Sequence, residues 1–106
     1  MIRWQTYNPY NMYSFSPIRK AKNLTDLKAK LKKIPSGVSR IYIIGTMHKV
    51  HITRYQPGKI FIGCIGKTRA QWLAMSEKYS DNKKYKTKTR KEYERYVKLL
   101  SSIKLK

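Results

Sequence analysis

Apolar residues in this chain recur at two spacings, and the switch between them divides it into elements. Leu24, Leu27, Leu31 and Ile34 return every three or four positions, which places them on one face of a helix. Asn23 stands before them with Asp26 three residues on, a helix-capping arrangement, and Pro35 and Gly37 end the run. Residues 40–44, 48–55 and 59–65 are short, rich in Ile, Val, Thr and Tyr and bounded by turn residues, so they predict three strands. Gly45-Thr46 offers glycine for a II′ hairpin turn, and Gln56-Pro57-Gly58-Lys59 has the residue order of a type II turn. Alternation along the middle strand puts His48, Val50, Ile52 and Arg54 on one face and Lys49, His51, Thr53 and Tyr55 on the other. Helical spacing resumes in Trp72, Leu73, Met75 and Tyr79 after the capping box Thr68-x-x-Gln71. It returns in Tyr93, Tyr96, Val97, Leu100 and Ile103 after a second box, Thr89-x-x-Glu92.

The first 22 residues are set apart. Trp4, Tyr7, Tyr10, Tyr13 and Phe15 stand among Asn and Ser, and Pro9 and Pro17 deny the segment a long helix. The expectation is an arm that packs its rings on the domain or stacks them on bases. The predicted class is therefore α+β: a three-stranded antiparallel sheet with helices packed on one face, in the order arm, α, β, β, β, α, α. Residues 1–22 form the arm and 23–106 a single basic domain.

Charge then narrows the function. The 106 residues carry 25 Lys and Arg against 5 Asp and Glu, a formal charge of +20, which points to an anionic partner and first of all to nucleic acid. The densest cluster is Lys83, Lys84, Tyr85, Lys86, Lys88, Arg90 and Lys91, with no acidic residue between Asp81 and Glu92. Such a run repels itself unless a partner neutralises it. The polar strand face adds Lys49, His51 and Tyr55, and Arg40 and Arg54 complete the sheet's share. No stretch approaches the ~20 apolar residues of a membrane span. Cys64 has no second cysteine to pair with, and no apolar leader follows the start. An intracellular place, in the cytoplasm, a nucleoid or a host cell interior, is expected.

Three kinds of chemistry can be weighed on their own requirements. Ile60 to Trp72 reads as strand, Gly66-Lys67-Thr68, then helix, the order of a phosphate-binding loop. The signature G-x-x-x-x-G-K-[ST] nevertheless needs glycine where Phe61 stands, and acidic magnesium ligands are scarce. What remains is a helix start flanked by Lys67, Thr68 and Arg69, where amide donors suit an anion such as a backbone phosphate. His48 and His51 would point to opposite strand faces, so no metal site is expected. Cys64, between Ile62 and Ile65, reads as a buried, inert thiol.

The middle of the chain, about residues 24 to 79, loosely resembles the double-stranded-RNA-binding domain, which also runs α, β, β, β, α. Gly45-Thr46-Met47-His48 stands where that family has its minor-groove loop, and Lys67-Thr68-Arg69-Ala70-Gln71 where it has its phosphate clamp. The resemblance implies His48, Lys67 and Arg69 as RNA contacts.

The function expected is that of a small non-catalytic protein binding DNA or RNA, with DNA slightly preferred. Its contacts would be Arg40, Lys49, His51, Arg54, Tyr55, Lys67, Thr68, Arg69, Lys83, Lys84, Tyr85, Lys86, Lys88, Arg90 and Lys91. No cofactor, metal, membrane or small-molecule substrate is expected. Two other classes stay open. One is a metal-independent ribonuclease using His51, Arg54, Tyr55 and Tyr42. The other is an inhibitor or adaptor, of the kind viruses and mobile elements encode, docking on an acidic protein or a nucleoprotein complex.

Overall fold

A computed structural model describes residues 1–8, 16–34, 37–78 and 87–105, with the backbone alone for 76–78 and 87–89. In chain order the elements are β1 (Ile2–Tyr7), β2 (Arg19–Ala21), α1 (Leu24–Leu31), β3 (Arg40–Ile44), β4 (Lys49–Thr53), β5 (Lys59–Ile62), β6 (Ile65–Thr68), α2 (Arg69–Lys78) and α3 (Thr87–Ser101). The strands form a six-stranded sheet in the order β2-β1-β3-β4-β5-β6, each antiparallel to its neighbours. The class is α+β, but the expected three-stranded sheet is overturned: the described residues make six strands.

Two of the extra strands come from the expected arm. Ile2, Trp4 and Thr6 alternate with Arg3, Gln5 and Tyr7, and β1 pairs with β3 over five residues, from Arg3 opposite Ile44 to Tyr7 opposite Arg40. On its other side β1 pairs with β2, Trp4 opposite Arg19 and Ile2 opposite Ala21. Proline excludes a helix here but leaves a strand free on either side of it. The ring-bearing Tyr10, Tyr13 and Phe15 lie outside the described residues. Because β2 and β3 are both antiparallel to β1, they run parallel to each other, and α1 makes the crossover that parallel strands require.

The third extra strand comes from splitting residues 59–65. Gly63 has φ 62° and Cys64 does not share a positive φ, so a two-residue II′ turn reverses the chain and pairs Ile62 with Ile65. Gly66-Lys67-Thr68 is thus strand, opposite Phe61, Ile60 and Lys59. The expected II′ turn at Gly45-Thr46 does not form. Gly45 keeps a negative φ and its N–H donates to the His48 carbonyl at 3.0 Å, which leaves Thr46 and Met47 at the tip. The type II turn is as expected: Gly58 has φ 84° and the Lys59 N–H donates to the Gln56 carbonyl at 3.3 Å.

One face of the sheet carries the core. Trp4, Ala21, Ile41, Ile43, Val50, Ile52 and Ile60 pack with Leu27 and Leu31 of α1 and Tyr93, Tyr96, Val97 and Leu100 of α3, with Trp72 of α2 against their edge. Each fully buried aliphatic side chain among them contributes about 1.5–3 kcal/mol. Helix starts follow local chemistry. The Asp26 N–H donates to the Asn23 side chain at 2.9 Å, and the Gln71 N–H to Thr68 Oγ1 at 3.2 Å with the Thr68 N–H returning to Gln71 Oε1 at 3.0 Å. The second expected box does not mark the start of its helix, since α3 already begins at Thr87, and the side chain of Thr89 lies outside the described residues. Glu92 instead accepts from the Thr46 N–H and hydroxyl at 3.1 and 2.8 Å.

Candidate nucleic-acid interface

Strand alternation places every second residue on the face away from the helices. The pairing register arranges these residues in three rows across the sheet. The first runs Lys20, Arg3, Ile44, Lys49. The second runs Gln5, Tyr42, His51, Phe61, Gly66. The third holds Tyr7, Arg40 and Thr53, with Lys59 and Thr68 continuing it on β5 and β6. Rows two residues apart along a strand are ~6.8 Å apart. None of these side chains belongs to the core shared with the helices.

The middle row is an aromatic ladder. Tyr42 and His51 have ring centroids 4.7 Å apart, and His51 and Phe61 stack at 4.8 Å with planes 10° apart. These distances match the spacing between strands, so the rings stand side by side with faces turned to one another. Gly66 ends the ladder: a Cβ there would come within 2.5 Å of the Phe61 ring, so only glycine lets that ring lie across β6.

Cations close over the ladder from both flanking rows. Lys49 Nζ lies 5.8 Å from the Tyr42 ring centre and donates to Gln5 Oε1 at 3.2 Å. Arg40 donates to the Tyr42 hydroxyl at 3.3 Å and lies over the Tyr7 ring at 5.4 Å. Tyr42 is left only 8% exposed, although it belongs to the face without helices. Enclosure and the neighbouring Arg40 push the His51 pKa down to about 4, so its imidazole is neutral at physiological pH. Arg3, Lys20, Lys49 and Lys59 are exposed, and no strand contains Asp or Glu. Lys30 and Asp26 form an ion pair at 3.2 Å in α1, away from this face.

The residues expected at a site are dispersed by this architecture. Arg40, Lys49 and His51 meet on the helix-free face. Arg54 and Tyr55 do not continue the strand: β4 ends at Thr53 and both lie in the turn after it. Arg54 donates to the Val38 carbonyl at 3.2 Å, while Tyr55 is 61% exposed. Lys67 is on the core side, 5.5 Å over the Trp72 ring and 2.6 Å from Met75 Sδ, and Thr68 is engaged in its capping box. Arg69 is exposed at the start of α2. Lys83, Lys84, Tyr85 and Lys86 lie outside the described residues, as does the side chain of Lys88. Arg90 is half-buried and Lys91 exposed on α3. Cys64, expected to be buried, is exposed at the hairpin tip.

Arg3, Gln5, Lys20, Lys59 and Phe61 were not among the expected contacts. The signal for the first two was present in the alternation of Ile2-Arg3-Trp4-Gln5-Thr6-Tyr7. No group of three metal-ligating side chains occurs among the described residues, and no helix there is long and apolar enough to cross a membrane.

Compared with protein-family models, curated proteins and solved structures, the chain matches none. The likeness to the double-stranded-RNA-binding domain does not extend to the topology. Four strands separate α1 from α2 here, with β1 added beside β3, and the residue in the clamp position, Lys67, is folded onto Trp72.

Proposed function

We propose that this chain is a non-catalytic nucleic-acid-binding protein, and that its partner lies across the helix-free face of the sheet. The observation that carries this reading is positive charge assembled there without counter-charge among the described residues: Arg3, Lys20, Arg40, Lys49 and Lys59 stand on strands that hold no carboxylate. Arg3 and Lys20 are direct cross-strand partners, and like charges so placed destabilise a sheet unless an anion spans them. Phosphates on the outer rows would leave bases over the middle row. The ladder turns its ring faces on one another, and Tyr42 and Gln5 are buried with their polar atoms engaged by Arg40, Lys49 and Ser16, so the half-buried His51 and Phe61 offer ring edges more than broad stacking surfaces. A sheet face of this kind suits unstacked single strands, DNA or RNA, better than a rigid duplex.

The test compares two triple variants with the unchanged chain, using a fluorescent single-stranded DNA. Replacing Arg3, Lys20 and Lys49 with Ala is expected to weaken binding at least tenfold. Replacing Lys28, Lys32 and Lys33, which are exposed around α1, removes the same charge and is expected to weaken it less than threefold. Equal losses would show that net charge alone matters and that the sheet face is not the site. Bound RNA is expected to survive long incubation intact; cleavage would instead support the ribonuclease reading built on His51 and Tyr42.

A further inference from the structure

At the end of the sheet where the third row stops, a groove of about 570 Å³ opens between the β4–β5 turn, the start of α2 and the chain following α3. That volume lies within the ~300–1,000 Å³ of sites that take small molecules. Its floor is closed by the buried Ile60 and Leu100. One wall is Pro57 and Gly58 and the other the half-buried Ile103 and Leu105. Its rim carries Arg54, Lys59, Arg69 and Lys104, with no acidic residue in the lining.

We infer that this groove is a nucleotide pocket, taking one base between the Pro57 and Ile103 walls while the cationic rim holds the adjoining phosphates. Two observations favour that occupant over a simple anion or an apolar ligand. The exposed Arg69 and Lys104 beside an opening lined by no acidic residue favour negative charge in the partner, and an apolar slot beneath them favours a flat or apolar body attached to it. The groove lies on the helix-bearing side of the sheet and reaches the ends of β4 and β5 at Thr53 and Lys59, which also belong to the third row. A strand on the helix-free face would reach it only by passing around the β4–β5 turn. The inference rests on the reading of the chain as a nucleic-acid binder, and adds to it a place where a single nucleotide is enclosed.

The test follows the methyl resonances of Ile103 and Leu105 in the full chain during titration with adenosine monophosphate, inorganic phosphate and decanoate. Adenosine monophosphate is expected to shift both methyls saturably and to bind at least tenfold more tightly than phosphate. The exposed-residue variants Arg69→Ala and Lys104→Ala are each expected to weaken it three- to tenfold while leaving the spectrum folded. Shifts that phosphate reproduces at equal affinity, or that only decanoate produces, would overturn the nucleotide pocket. So would the absence of shifts from all three probes. The outcome separates from that for the sheet face. If the Arg3, Lys20 and Lys49 replacements abolish oligonucleotide binding while the mononucleotide leaves these methyls unmoved, the pocket fails and the face stands. If the mononucleotide binds as expected but no oligonucleotide does, the pocket stands and the face fails.

Discussion

His51 concentrates the electrostatics of the sheet face in one side chain. Stacked on Phe61, set beside Tyr42 and near Arg40, it is held neutral by enclosure and by the neighbouring cation. Its folded pKa of about 4 lies below the ordinary 6.5, so the folded chain takes up this proton less readily than the unfolded one. The stability this contributes is complete above pH ~6.5 and is lost as pH falls through the folded value. A proton NMR titration is expected to place the His51 ring near 4, and Arg40→Ala to raise it; a midpoint of 6 or above would contradict the enclosed ladder. The alternation of Lys49, His51 and Thr53 was legible in the sequence. The ladder was not, because it needs Tyr42, His51 and Phe61 from three strands in one register, and register is set by the pairing of the whole sheet.

Among the elements, the starts of α1 and α2 were the most legible, since Asn23 and Thr68 act on amides three residues away, whereas α3 begins at Thr87 ahead of the expected Thr89. Strand boundaries were less so. Gly63 sits inside an apolar run that reads as one strand, and only its positive φ reveals the reversal. β1 was missed because its partners, β2 and β3, flank it in space but lie 12 or more residues on in the chain. The β3–β4 hairpin shows how a tertiary contact can replace local turn chemistry. The Tyr93 hydroxyl accepts from both the Met47 and His48 N–H groups at 2.8 Å, fastening the loop tip to α3. Tyr93→Phe keeps the buried ring and removes that acceptor. It is expected to cost about 1–3 kcal/mol in denaturant unfolding, with faster hydrogen exchange at Met47 and His48. Unchanged stability and exchange would show that the hydroxyl does not hold the loop.

At the scale of the whole molecule, the core and the charge oppose one another. Burial on the helix-bearing side of the sheet holds together a chain whose +20 charge favours expansion. Composition alone made an anionic partner the expectation, but the surface could not be read from it. Lysines lie on α1, the sheet and α3 alike, and the densest run in the sequence, 83–91, is only partly within the described residues. What singles out the sheet face is the topology, which gathers Arg3 and Lys20 from the N-terminal strands beside Lys49 and Arg40. The most direct measurement is the affinity for single-stranded DNA over a series of salt concentrations, for the unchanged chain and for Lys49→Ala. If the five sheet-face cations each meet a phosphate, log affinity against log salt has a slope of about −3.5, and Lys49→Ala makes it shallower by about 0.7. A slope near zero, or one that Lys49→Ala leaves unaltered, would mean that the strand does not lie on this face.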